Sequence, residues 1–248
     1  MANIALLIYD VTDAQGTILK GHIETEGGHT VTLVDDADID THDFSGYDVL
    51  VGHMMTTSDA VAASLRALVD TDGIPLLLSL ASTGPGVGSG NNLIPTRMHL
   101  CGTIVWYDFP SGVNYVNITD NTHDITAYLS TGQLYVADGA NAFQAVDTAG
   151  DIIGDILALN DDRFPAPHNT YPTISAIEAG TDDQQVAPVP TGARIVLAAN
   201  IFFAMFGTYT AANKTLIESQ IQWLLVAPPA DPVGGLKSTM ALRMGLTL

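Results

Sequence analysis

Four short apolar runs, "NIALLIYD" (3–10), "TVTLVDD" (30–36), "DFSGYDVLVGH" (43–53) and "IPLLLSL" (74–80), constrain this chain more than anything else in it. Each is strand-length, and the first and last are apolar without alternation, as expected of strands buried on both faces of a parallel sheet. Between them lie stretches with helical signals. "TDAQGTILKGHIETEGGH" places Ile18, Leu19 and Ile23 on one face and ends at Gly27-Gly28. "TSDAVAASLRALVDTDG" (57–73) offers Thr57 and Ser58 as caps, a Val61-Leu65-Leu68 stripe and Gly73 as a stop. Strand, helix, strand at these lengths predicts right-handed crossovers and a parallel sheet.

The pattern loosens between about 94 and 190. "GVNYVNIT" (112–119), "GQLYVAD" (132–138), "AFQAVD" (142–147), "GDILALN" (154–160) and "TISAIEAG" (173–180) read as short strands among turns and proline-rich loops. It returns with the strand "ARIVLAANIFF" (193–203) and the helix "TAANKTLIESQIQWLLVA" (210–227), with Leu216, Ile217, Ile221 and Leu224 at core spacing. The expected fold is α/β: a central, mostly parallel, flavodoxin-like sheet flanked by helices, a β-rich middle insertion and an extended tail. The expected division is a domain over 1–227 and a linker with a docking tail over 228–248.

That tail follows "PPADPVGG" (228–235) and reads "LKSTMALRMGLTL" (236–248). It carries Leu236, Met240, Leu242, Met244 and Leu246, with Lys237 and Arg243 as its cations. So short a segment cannot bury those side chains against itself. It needs a surface, either its own domain or a neighbouring subunit, and the partner expected is another protein subunit in an oligomer or assembly.

The charge balance narrows the partners further. Against 27 acidic residues stand 8 basic ones, a formal charge of −19, which repels nucleic acid and anionic membrane. The N-terminus lacks the basic flank and cleavage pattern of a secretory signal, and "IVLAANIFFAMFG" (195–207) falls short of the ~20 apolar residues that span a bilayer. No membrane association is expected, and the location expected is a virion or otherwise the cytoplasm. Cys101 is the single cysteine, so neither an intrachain disulfide nor a thiolate cluster is available.

The order of elements resembles the class I glutamine amidotransferase-like fold, and within it the trehalose-utilisation-like branch. The matching pieces are "IALLIYD", "GYDVLVGH", the turn at 79–84, "TDNTHDITAYLSTG" (119–132) and "GARIVLAANIFF…NKTLIESQIQWLL" (192–225). The resemblance implies a cysteine nucleophile in a Gly-x-Cys-x-Gly turn after the fourth strand and a His-x-Glu pair after a late strand, because a nucleophile needs a base within hydrogen-bond reach. Here the turn reads "LASTG", with Leu80 at the first glycine and Ala81 or Ser82 at the thiol position, and Asn200, Ile201 and Phe202 stand where the histidine and glutamate belong. The catalytic set is therefore expected to be absent, with Ser82 the one nucleophile candidate and Cys101 a small buried residue.

Three other constellations were weighed. Ser82, Thr83, Gly84 and Gly86 in "STGPGVGSG" form a glycine-rich turn fit to hold a small ligand, but they match neither a P-loop nor Gly-x-Gly-x-x-Gly. Asp36, Asp38 and Asp40 alternate in a way that suits a hard cation, yet the glycine and glutamate of a calcium loop are missing. His53 and His99 are both expected near the ligand-binding edge of the sheet, without a third ligand. No cofactor is expected.

Three functions follow as expectations. One is a non-catalytic structural or interaction protein of a larger assembly, a virion component such as a phage capsid, neck or tail protein. It is favoured by the missing nucleophile, by only three lysines among many Thr, Asn, Asp, Ala and Gly, and by the tail. The second is a hydrolase or carbohydrate-related enzyme using Ser82. The third is a small-ligand-binding module.

Overall fold

The computed structural model describes residues 1–80, 82–83, 93–108, 113–138, 142–161, 163–164, 166–201 and 209–226. The calls at Ala81, Gly84, Gly86, Phe202 and throughout 228–248 lie outside these. A nine-stranded sheet forms the body. Its first part comprises β1 (Asn3–Ile8), β2 (Thr30–Asp35), β3 (Val49–Gly52), β5 (Leu76–Ser79) and β13 (Ile195–Ala198), in the order β2-β1-β3-β5-β13 and all parallel. This is the flavodoxin-like arrangement, with its reversal of direction between β1 and β3. The register sets Leu7 beside Gly52, Gly52 beside Leu78, and Ser79 beside Ala198. Every residue of β3, β5 and β13 is buried, which is why these strands read as unbroken apolar runs.

The β-rich middle extends this sheet. From β13 outward come β12 (Pro172–Ile177), β11 (Asp155–Leu159), β8 (Val113–Ile118) and β9 (Gly132–Asp138), each antiparallel to the one before. A separate antiparallel ribbon joins β7 (Ile104–Asp108) to β10 (Ala142–Val146). Two short strands, β4 (Met55–Thr56) and β6 (Ser82–Thr83), pair in parallel beyond the ends of β3 and β5.

The helices start and stop where their local chemistry requires. α1 (Ala14–Gly27) opens on Asp13, whose carboxylate accepts from the Gln15 amide, and closes on Gly28 at φ 64°. Leu19 and Ile23 are buried as expected, but Ile18 is 41% exposed, so the apolar stripe is narrower than the sequence suggested. α2 (Asp59–Asp70) is capped by the Ser58 hydroxyl and buries Val61, Leu65 and Leu68. A single turn, α3 (Ile94–Arg97), packs against it. The closing helix α4 (Ala211–Leu225) is capped by Thr210 and packs on α1. Crossovers leaving β1 and β3 in opposite directions place α1 and α2 on opposite faces of the sheet.

The C-terminal end of α4 has no glycine stop, and Arg194 at the start of β13 does that work. Its guanidinium donates to the carbonyls of Trp223 (2.9 Å) and Val226 (2.7 Å) and to both oxygens of Glu178 (2.7 and 3.1 Å), and it lies 4.4 Å from the centre of the Trp223 ring. Orphan carbonyls, a carboxylate and an aromatic face thus converge on one buried cation. Arg194→Ala is expected to lower the free energy of unfolding by about 2–3 kcal/mol, read from urea denaturation, because it strips a charged hydrogen bond from the buried Trp223 carbonyl and others from Val226 and Glu178.

Candidate functional site

In a sheet of this order, ligands sit outside the carboxyl ends of the parallel strands, near the switch point. Four strand ends meet there. After β1, the Tyr9 hydroxyl donates to Asp13 at 2.7 Å, and that hydrogen bond pushes the phenol's pKa upward. Asp10 turns back to accept from the amide and hydroxyl of Thr12 at 2.8 and 2.7 Å, which holds its carboxyl below the usual range. In the first turn of α1, the side-chain oxygen of Gln15 is buried without a hydrogen-bond partner.

After β3 comes His53. Its backbone amide donates to Leu7 at 3.0 Å and its ring is fully buried, yet neither ring nitrogen has a hydrogen-bond partner. Burial pulls its pKa down to about 4, so the imidazole is neutral at physiological pH. The next residue, Met54, is held at φ 51°, a left-handed conformation uncommon for a residue with a side chain. The chain then runs into β4, whose Met55 and Thr56 lie beside Ser82 and Thr83 of β6. The backbone after β3 thus tracks the turn after β5, and His53 and Ser82 belong to adjoining segments of one edge.

After β13, the chain turns inward. Asn200 is fully buried; its amide donates to Asn213 (2.9 Å) and its side-chain oxygen accepts from Gln220 (3.0 Å). Asn213 returns a bond to the Asn200 carbonyl at 3.0 Å. Three amides thereby tie the end of the last parallel strand to two turns of α4. An amide in this clamp cannot take up a proton at neutral pH, so the group at Asn200 is no general base.

The remaining candidates separate from this edge. Cys101 is 2% exposed, its sulfur is 4.0 Å from the Thr96 hydroxyl, and burial pushes its pKa up to about 12, so it stays a thiol. His99, at φ 59°, lines a cavity of about 530 Å³ together with Asp59, Cys101 and Asp151, a cavity that His53 does not line. Asp36, Asp38 and Asp40, weak candidates for a cation, lie in different surroundings. Asp36 is buried and accepts from the amide and hydroxyl of Thr56, Asp38 is exposed, and Asp40 accepts from Ser64. A short 3₁₀ turn over Asp36–Asp38 breaks the alternation that would have aimed them together. Among the described residues, no three His, Cys, Asp or Glu side chains converge to hold a metal, and no helix is long and apolar enough to cross a membrane.

Sequence reasoning missed two features here. Asn213 and Gln220 lie on the helix face of Leu216, Ile217 and Ile221, and such amides at core positions of an otherwise apolar stripe were the available signal. The isolation of His53 had no signal, since it depends on what surrounds the ring.

No family model matches the chain, and no curated protein matches it. Among solved structures, the chain is similar to a glutamine amidotransferase from Thermotoga maritima, at 7% identity and a TM-score of 0.48 over 91% of this chain and 98% of that one. It is also similar to the protein SMU.1228c, at 10% identity and a TM-score of 0.47 over 90% of this chain and 100% of the other. What fold and edge define by themselves is a doubly wound α/β protein of flavodoxin-like strand order.

The His53 environment predicts a pH dependence. An unfolded histidine titrates near 6.5 and this one near 4, so the unfolded state binds the extra proton first and stability falls as pH drops from about 6.5 towards 4. The loss attributable to this group is about 3 kcal/mol at most. It is measured as the difference between wild type and His53→Phe in urea midpoints at pH 7 and pH 4.5. The expected result is a steeper decline for the wild type.

Proposed function

We propose that this chain is a non-catalytic interaction component of a larger protein assembly, and that the assembly is a virion. The observation that carries the reading is the amide clamp. Where the amidotransferase-like resemblance calls for a histidine, Asn200 is bound to Asn213 and Gln220, and the strand end that would present a base is occupied in packing. Cys101, the only thiol, is buried and protonated. The virion part draws on the composition, low in lysine and rich in small polar residues, and on the basic, apolar segment 236–248 beyond a proline-glycine linker. On this account the body is a scaffold and the tail is what it uses to engage other subunits.

A second reading, a small-ligand-binding module, is favoured by two buried groups without a hydrogen-bond partner: both ring nitrogens of His53, after β3, and the side-chain oxygen of Gln15, in the first turn of the helix after β1. A neutral imidazole and an amide oxygen together suit a ligand with both donor and acceptor groups. Such a ligand would raise the melting temperature in a screen of sugars and polar metabolites, and His53→Phe would remove the shift.

The assembly reading is tested by removing residues 229–248. The cut falls after the Arg194 bond to Val226, so the body keeps its anchor. The shortened chain is expected to melt like the full one and to fail to enter the assembly, followed by sedimentation and electron microscopy. Undiminished incorporation would defeat the reading.

A further inference from the structure

An acidic surface that also holds cavities and aromatic side chains lies at the opposite, amino-terminal edge of the sheet. Two cavities lie there, of about 640 Å³ and about 300 Å³, and they share Asp48, Gly73 and Pro75 as walls, so they form one trough. The larger end is ringed by Asp40, Asp43, Asp48 and Asp72 and floored by the aromatic pair Phe44 and Tyr47, whose rings are 6.0 Å apart. The smaller end is lined by Leu224, Leu225 and Val226, the last residues of the body before the linker. Acid and aromatic surface together recognise a cation carried on an apolar stem.

The inventory of cations points to the occupant. The chain has 8 lysines and arginines, and six of them lie in the described residues. Each of the six faces a carboxylate: Lys20 with Glu24, Arg66 with Asp70 and Asp183, Arg97 with Asp59, Arg163 with Asp161, Arg194 with Glu178 and Lys214 with Glu26. The four trough aspartates have no lysine or arginine partner among the described residues. Asp40 accepts from Ser64, Asp43 from the Ser45 amide and Asp48 from the Asn3 amide, bonds that leave each carboxylate its charge. The two cations that remain are Lys237 and Arg243, in a segment without a single acidic residue and with leucines and methionines around them.

We infer that residues 236–248 of one copy of this chain seat in the acidic, aromatic trough of a second copy. This rests on the assembly reading and names the surface that receives the tail. Lys237 and Arg243 are separated by up to about 20 Å when the chain is extended, enough to reach from one cavity into the other. The nine residues 227–235 between Val226 and the tail set its reach, at most about 30 Å. Val226 lines the smaller cavity of its own body, and the test below separates a tail held by its own body, which leaves the wild type monomeric, from one held by a second copy. Tail to trough is a heterologous contact, so successive copies add head to tail.

The test uses full-length chains in sedimentation velocity over a range of concentrations at low salt. The wild type is expected to self-associate, and more weakly as salt is raised. K237E/R243E and D43K/D72K, each alone, are expected to associate at least about tenfold more weakly, because each sets like charges against each other. An equimolar mixture of the two restores association, since every contact between them pairs opposite charges. Should the lysines disturb the fold, D43N/D72N replaces D43K/D72K for the single-variant arm. A wild type that stays monomeric, a trough variant that associates like the wild type, or a mixture that stays apart would each overturn the inference. Loss with the tail variant but not the trough variant places the tail's receptor elsewhere and leaves the assembly reading standing; incorporation without residues 229–248 defeats that reading itself.

Discussion

The clamp of Asn200, Asn213 and Gln220 is the constraint on which the rest of this structure turns. A parallel sheet delivers its strand ends to one edge, and what happens there depends on whether the last strand offers a reactive group or a structural one. Here three fully buried amides satisfy one another across β13 and α4. Buried amides of this kind hold two elements in one register, because any shift leaves polar atoms unpaired in an apolar surrounding. With α4 fixed at its beginning by the clamp and at its end by Arg194, Val226 is held beside the acidic trough.

The two edges of the sheet therefore have different characters. Among the described residues, the carboxyl edge holds a neutral buried histidine and carboxylates occupied in local turns. The amino edge is open and charged. In a protein with a formal charge of −19, the only cations not already held by the body lie in the appended segment, which makes that segment the natural counterpart of an acidic surface. The proposed function accordingly looks to surfaces and the C-terminal segment rather than to a reacting centre.

Much of this was legible in the sequence, and for identifiable reasons. β1, β3, β5 and β13 announce themselves as unbroken apolar runs because they are covered on both faces, and Ser58 and Gly28 mark helix ends by a capping hydroxyl and a left-handed backbone. The course of the middle region was not legible. β8, β9, β11 and β12 are short apolar runs whose sequences carry no record of direction, so their antiparallel continuation of the main sheet emerges only from the pairing. The surroundings of the aspartates at 36, 38 and 40 were not legible either: alternation aims side chains together only in an extended strand, and Asp36–Asp38 form a 3₁₀ turn. The vacancy around the His53 nitrogens depends on distant residues and left no local trace.

The central claim, that this fold acts without a nucleophile, is tested most directly by intact-mass analysis of the full chain after treatment with fluorophosphonate and thiol-directed electrophiles. The account predicts no stoichiometric adduct on the folded protein, and a Cys101 adduct only after unfolding. A single adduct at Ser82 on the folded chain, lost in both Ser82→Ala and His53→Phe, would contradict it.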